Sequence, residues 1–398
     1  MVRIAICQPV VPHYRVPVFN RLAALPDIEL TVFAGMGAGS VRTASAGPWF
    51  RFDFRLDPVR PVKVGGLQFK YQDSQVEAVD PGRFDLVILM WDAHYLSLWP
   101  AILRSRMRKG PPVVLWGHGV SKRKSALRRG LRYFLGRRAD AVMVYTRTVA
   151  DSLIREYGFE RERVFVAQNA LDQAPIVQAR QDWEGDPGKL AEFRGRHGLD
   201  PRWTLAFVSR LEPDNGLDLL LAAFAEIRAS RPEAKLVIIG DGTERERLER
   251  VAGEAGLADA VIFVGALFQE SEIAPWLFSA AAFCYPKNMG LSLLHGFGYG
   301  LPVVTSDNLQ GHGPEIEALR PGQNGLLYRD GDASDLARQT LRLLENPVDR
   351  QAMAEQAARM VREEYTLDAM VRGFVELVEA ARTRFAETSK NTQPIGDR

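Results

Sequence analysis

Two successive series of short apolar runs, each run followed by a segment of helical period, constrain this chain more than any single residue does. The first series reads RIAIC, IELTVFA, DLVILMW, PVVLWG, AVMVYT and RVFVAQ; the second reads WTLAFVS, KLVIIG, AVIFVG, AAFCYP, PVVTSD and GLLY. Segments such as DLLLAAFAEIRA and ERERLERVAGEA alternate with them, which predicts βα units and parallel sheets. At 398 residues the chain exceeds one ordinary core and suits two. A polar stretch punctuated by Gly and Pro, QNALDQAPIVQARQDWEGDPGKL, divides the two series. The expected layout is therefore α/β: residues 1–172 form one Rossmann-like domain, 173–200 a linker, and 201–366 a second Rossmann-like domain. An amphipathic last helix over 367–386 is expected to pack back on the first domain, before a disordered polar tail at 387–398.

Charge is divided unevenly between these regions. Residues 1–172 carry a net +11 and the remainder −9, giving the overall +2. The basic excess gathers in SKRKSALRRGLRYFLGRR, residues 121–138, which holds no acid and sets Leu127, Leu131 and Phe134 at helical spacing. Such a helix either lies on an anionic membrane surface or stands solvated with its leucines turned to the core. No aromatic interleaving or recognised module supports nucleic-acid binding there. No run of eighteen apolar residues could span a bilayer, and MVRIAICQP lacks the apolar core of a signal peptide. The expected location is the cytoplasm, with a peripheral position on the inner face of the cell membrane if the first of those two alternatives for 121–138 holds. Cys7 and Cys284, isolated in apolar strands, read as inert core residues.

In parallel α/β sheets, ligands sit beyond the carboxyl ends of the strands, where loops lead into helix N-termini. Five of the six histidines, His13, His94, His118, His295 and His312, fall in or just after such loops. The most specific segment is FVSRLEPDNGLDLLLAAFAEIRASRPEAKLVIIGDGTERERL: a strand ends at Arg210, a turn passes through Pro213, Asn215 and Gly216, and a helix and second strand follow. Together with GLSLLHGFGYGLPVVTSD, GPEIEAL and NGLLY, it resembles the C-terminal half of the retaining GT-B glycosyltransferases of family 4, the glycosyl transferases group 1. The first half resembles that family mainly in layout. The resemblance implies two Rossmann-like domains facing across a cleft that holds a nucleoside-diphosphate sugar. It also implies transfer of the sugar to an acceptor hydroxyl, saccharide or lipid-linked, with retained configuration, in polysaccharide, lipopolysaccharide or glycolipid assembly.

The same resemblance locates a site. The family arginine that grips the donor diphosphate is Arg210, whose guanidinium pairs with phosphate in a bidentate fashion. The lysine expected a few residues later is Asn215, so one cationic contact is missing and Asn215 offers the donor a neutral hydrogen bond instead; Gly216 beside it and Asn288 are counted with it among the donor-binding residues. In YPKNMGLSLLHGFGYG, Lys287 and His295 stand where the family has two glutamates, the first on hydroxyls of the donor sugar and the second on the ribose. We expect the N–H groups of Gly290, Leu291 and Ser292, in the loop that also carries Asn288, to take the diphosphate. Lys287 would replace the lost cation, and a neutral His295 would bind the ribose diol. Glu315 of GPEIEAL completes the donor set, and His118 of VVLWGHGVSK matches the first-domain histidine near the transferred sugar. His118, Arg210 and Lys287 are thus the expected catalytic groups, while His13, Tyr14, Arg15, Asp92, His94 and Arg123 are assigned to the acceptor.

Two weaker signals are set aside. Asp330 and Asp332 mimic a metal-binding pair but read better as a turn and helix start, capped by Asp332 or Ser334. GDGTERERL lacks the full spacing of a nucleotide loop. No metal and no cofactor beyond the nucleotide sugar is therefore expected; electrostatic hold on the departing diphosphate, which helps deprotonate the acceptor, is the main catalytic effect. The rival reading is a GT-B scaffold without turnover, motivated by the altered positions 215, 287 and 295.

Overall fold

The computed structural model describes residues 1–38, 41–44, 47–120 and 126–390. The chain forms two compact units, Met1–Gln168 with the segment from Leu367 onward, and Asn169–Thr366.

The first unit is built on a parallel sheet of β1 (Val2–Gln8), β2 (Ile28–Ala34), β3 (Asp53–Leu56), β4 (Leu86–Met90), β5 (Val113–Gly117), β6 (Ala141–Val144) and β7 (Val164–Val166), in the order β7-β6-β5-β4-β1-β2-β3. Parallel strands are covered on both faces, which is why β5 is buried along its whole length and reads as an unbroken apolar run. Strand β3 and an antiparallel hairpin, Arg60–Val64 with Leu67–Tyr71, were not among the expected runs, because exposed and charged residues interrupt them. Their turn is Gly65-Gly66, with φ of +55° and +78°, the left-handed pair that a two-residue hairpin requires. Helices α1 (Val16–Ala23), α2 (Leu98–Arg108) and α3 (Ala126–Arg138) follow β1, β4 and β5.

The C-terminal helix, Leu367–Lys390, belongs to this unit. Its Phe374 meets Trp116 of β5 edge-on at 5.0 Å, and a Cβ on Gly373 would fall 2.2 Å from the Val166 carbonyl of β7. The helix continues past the expected end at 386, so the first residues of the expected tail are helical; 391–398 lie outside the described residues.

The second unit carries β8 (Thr204–Val208), β9 (Lys235–Ile239), β10 (Val261–Gly265), β11 (Ala282–Cys284), β12 (Val303–Ser306) and β13 (Gly325–Tyr328), all parallel, in the order β10-β9-β8-β11-β12-β13. Its helices include α4 (Ala174–Glu184), α5 (Pro187–His197), α6 (Leu217–Ser230), α7 (Glu270–Leu277) and α8 (Ser292–Gly298). The linker expected over 173–200 is instead α4 and α5, which bury Ile176, Ala179 and Leu190. Its prolines start helices: Pro187 opens α5 behind Asp186, whose carboxylate accepts from the Lys189 N–H at 3.1 Å, and Gly198, at φ +62°, ends it. The residues that suggested a loop are helix signals. Asp332, rather than Ser334, caps the helix Ala333–Glu345 by accepting from the Asp335 N–H at 2.9 Å.

In each sheet the strand order reverses at one point, between β1 and β4 in the first unit and between β8 and β11 in the second. The loops leaving those strands diverge and open a crevice there, the place where such sheets bind ligands.

Candidate functional site

At the reversal point of the second unit, β8 leads through Arg210 into the turn Pro213–Asn215 and then α6. The Arg210 side chain is exposed, with Nη1 4.0 Å from a Glu212 carboxylate oxygen. Asn215 is buried, and its Nδ2 donates to the Arg210 carbonyl at 2.6 Å. The expected ligand contact at Asn215 is therefore replaced by a structural one: the amide fixes the backbone that presents the arginine. Gly216 takes φ +71°, and a Cβ there would sit 3.3 Å from Cγ and Cδ of Lys287. The aliphatic stem of Lys287 thus crosses the turn of Asn215 and Gly216, where the resemblance leads to the expectation of a lysine. Its Nζ lies 3.9 Å from Asp330 Oδ1, and both side chains are partly exposed.

The loop from β11 to α8 is held from below. Asn288 is exposed and left-handed at φ +56°, a conformation Asn tolerates. The N–H of buried Met289 donates to His312 Nδ1 at 3.1 Å, and its carbonyl accepts from the Gly313 N–H at 2.6 Å. Because Nδ1 accepts, the His312 proton resides on Nε2, 3.2 Å from both the Ser306 hydroxyl and carbonyl oxygens. His312 is a strut of the loop. Gly313 packs on Gly290 so closely that a Cβ there would meet the Gly290 Cα at 3.0 Å and Glu315 Oε2 at 2.6 Å. Glu315 itself is buried, with Oε1 accepting from Asn169 Nδ2 at 2.6 Å. The Ser292 hydroxyl donates to the Val208 carbonyl at 3.2 Å, tying the tip of α8 to the arginine-bearing strand. The N–H groups of Gly290, Leu291 and Ser292 precede the first full turn, where a helix offers no internal acceptor.

His295 departs from expectation. Its Nε2 lies 3.0 and 3.1 Å from the two Glu270 carboxylate oxygens of α7, and the Tyr299 hydroxyl donates to that carboxylate at 2.6 Å. Burial pushes the Glu270 carboxyl up, but hydrogen bonding to His295, its charge and the Tyr299 hydroxyl outweigh it and hold the group below the usual carboxylate value. With Nε2 engaged by that carboxylate, only Nδ1 of His295 is left for a ligand, so His295 can meet one hydroxyl rather than grip a diol. Glu270 was missed because its partner lies on another helix, and no local pattern links them.

In the first unit His13, Tyr14 and Arg15 follow β1 and Asp92 and His94 follow β4, the two strands of its reversal point, while His118 follows the neighbouring β5. His13 stacks on Trp49 at 5.8 Å and 8°, and Tyr14 is exposed beside it. The Arg15 guanidinium lies 4.8 Å from the Trp116 ring and 5.3 Å from Tyr145, with Nη1 3.5 Å from Met370 Sδ. Ring faces orient this cation without neutralising it. The exposed His118 ring meets Tyr145 edge-on at 5.0 Å, so Tyr145, just past β6, links Arg15 with His118. Asp92 accepts from the His94 backbone N–H at 3.0 Å and from Nδ1 at 2.7 Å. Burial alone would raise the Asp92 carboxyl, but these bonds and the charges of His94 and Lys70 hold it below its usual value. Arg123 lies outside the described residues. Of the row Leu127, Leu131 and Phe134 in α3, Leu131 packs on the core, as the solvated alternative has it, and Phe134 is exposed, while the Leu127 side chain lies outside what is described. Among the described residues no group of three or more His, Cys, Asp and Glu is placed to hold a metal ion.

Comparison with known proteins agrees with this geometry. The family model for glycosyl transferases group 1 matches residues 191–360, and that for glycosyltransferase family 4 matches 20–174. Alpha-D-kanosaminyltransferase of Streptomyces kanamyceticus is 28% identical over 289 residues, covering 71% of this chain and 67% of its own length. D-inositol 3-phosphate glycosyltransferase of Acidothermus cellulolyticus is 29% identical over 333 residues, 77% of this chain and 69% of its own. The crystal structure of Anabaena HepE in complex with UDP has a TM-score of 0.71 at 17% identity, over 96% of this chain and 100% of that one, a likeness of fold. Two Rossmann-like units, with basic and amide-rich loops at a sheet reversal point, define the GT-B class of sugar transferases. Within that class the chain belongs to the family 4 glycosyltransferases, and it is an enzyme that transfers glycosyl groups from nucleotide sugars.

Proposed function

We propose that the second unit binds a nucleoside-diphosphate sugar with Arg210 and Lys287 on its diphosphate, and that the sugar passes with retained configuration to a hydroxyl of a saccharide or lipid-linked acceptor. The observation that carries this reading is the Lys287 stem lying over Gly216, which returns a cation to the turn where Asn215 has displaced one. Two cations and the N–H groups before α8 stabilise charge as it develops on the leaving diphosphate. That hold needs no metal ion. Arg15, His13, Tyr14 and the Asp92–His94 pair, past the two strands of the reversal in the first sheet, together with His118 past the next strand, serve the transferred sugar and the acceptor. Asn288 and Glu315 shape the donor loop, and His295 meets a single donor hydroxyl. We place the enzyme in the cytoplasm, in cell-surface glycan or glycolipid assembly, a setting that suits its two buried free cysteines.

The test separates the cation from the fold. Lys287→Met keeps the stem over Gly216 and removes the charge. Its kcat/KM is expected to fall roughly 100-fold, as when one charge-stabilising donor is lost, with an unchanged melting temperature. Activity near that of the wild type, measured with a panel of UDP-, GDP- and dTDP-sugars, overturns the assignment. A protein that binds these nucleotides but turns none over would instead favour the inactive scaffold, which the named relatives do not.

A further inference from the structure

Helix α2 carries its apolar residues on both faces. Leu98, Ala101, Ile102 and Ser105 face the core, while Trp99, Leu103 and Met107, one turn apart on the solvent side, are 39%, 59% and 75% exposed. Phe134 of α3, 42% exposed, extends this row, its ring 5.5 Å from that of Trp99. Single exposed apolar residues are ordinary; four large ones in one row mark a surface that meets something. The rim of the row is cationic. Between Asp92 and Asp140 the sequence holds twelve Lys and Arg and not one acid. Arg106, Lys109, Arg129 and Arg138 are exposed, and Arg138 lies 4.9 Å over the Phe134 ring. Asp80, the carboxylate that reaches α2, accepts from Arg104 and Arg108.

We propose that this α2–α3 face docks on an anionic lipid bilayer. Trp99, Leu103, Met107 and Phe134 enter the boundary between headgroups and acyl chains, and the surrounding cations pair with lipid phosphates. The apolar row moves the contact from the leucines of α3 to α2. A nucleic acid would be drawn to the cations but would gain nothing from Leu103 and Met107. A second copy of the chain related by a two-fold axis would set one cationic rim against another. A bilayer satisfies both the apolar row and the rim. The inference rests on the surface of the first unit alone, so it and the donor-site reading fail separately.

Flotation of the full chain with vesicles of phosphatidylcholine, with and without phosphatidylglycerol, tests it. The wild type is expected to float with the anionic vesicles and to be weakened, not abolished, by added salt. The triple variant Trp99→Ser, Leu103→Ser, Met107→Ser should float at least about 10-fold less, since each buried apolar side chain adds to the partition. Its melting temperature and response to nucleotide should stay at wild-type values, because the three side chains face solvent. Bromine-labelled acyl chains should quench tryptophan emission in the wild type and less in Trp99→Phe. Equal flotation of the triple variant and the wild type, or no flotation of either, overturns the proposal. So does a triple variant that changes only its sedimentation state, which would make the face a contact between copies.

Discussion

The carboxylate of Glu270 is held in its ionised form by two groups from elsewhere in the chain, His295 of α8 and Tyr299 just past that helix. A carboxyl whose folded value lies below its ordinary 4.5 stabilises the protein above that pH, and the contribution disappears as the pH falls through the lower, folded value. Glu270→Gln should therefore cost about 1–3 kcal/mol near neutrality, the range for a buried hydrogen-bond partner lost to a charged group. The gap between wild type and variant in urea unfolding should close as the pH is taken below 4.5. A gap that stays constant with pH would mean that the folded carboxyl is not ionised. Part of this chemistry was legible in the sequence and part was not. The exchange of carboxylates for Lys287 and His295, and of a lysine for Asn215, is visible in linear motifs. That Lys287 reaches the Gly216 turn, that Asn215 holds the Arg210 backbone and that His295 turns to Glu270 are contacts between separate elements, which no periodicity or spacing records.

Among the elements, the C-terminal helix approaches the backbone of the first sheet so closely that it has no room for a side chain at Gly373. Gly373 has no side chain, and a Cβ would lie 2.2 Å from the Val166 carbonyl and 2.9 Å from the Ala167 Cα, both backbone atoms that cannot swing aside. Alanine favours an isolated helix over glycine by about 1 kcal/mol. Here the clash should win. Gly373→Ala is expected to lower stability by about 1–3 kcal/mol, the usual cost of overpacking, as the helix is pushed off β7 and Phe374 loses its contact with Trp116. Urea unfolding reads the sign directly: a more stable variant would show that the helix does not rest on β7. The strands of both sheets could be read in advance because burial on two faces leaves no room for polar residues. Strand β3 and the hairpin after it could not, since their exposed faces alternate charged and apolar residues as a surface loop might. Helices α4 and α5 were hidden for a different reason: Pro187 and Gly198 punctuate helices and loops alike, and only capping by Asp186 tells them apart.

At the scale of the whole molecule, the two units each have a sheet whose order reverses once, and the loops past the strands that flank the reversals carry Arg210 and Lys287 in one unit and Arg15 and Asp92 in the other. They differ in charge, the first 172 residues being basic and the rest acidic by nearly equal amounts. An acidic region would have to hold a diphosphate through local donors rather than through its overall field, as the proposed site of Arg210, Lys287 and the N–H groups before α8 does. Hydrogen exchange can map that local site, because a ligand that binds the native state slows the opening of the segments it touches. A saturating nucleoside diphosphate should slow exchange over residues 209–217 and 287–293. The helix Ala333–Glu345, which the donor reading does not involve, should exchange as before. Slowing confined to the first unit would place the nucleotide elsewhere. Slowing over 209–217 and 287–293 that disappears in Arg210→Ala, with the unliganded exchange pattern unchanged, would tie the protected loops to the one guanidinium on which the donor site depends.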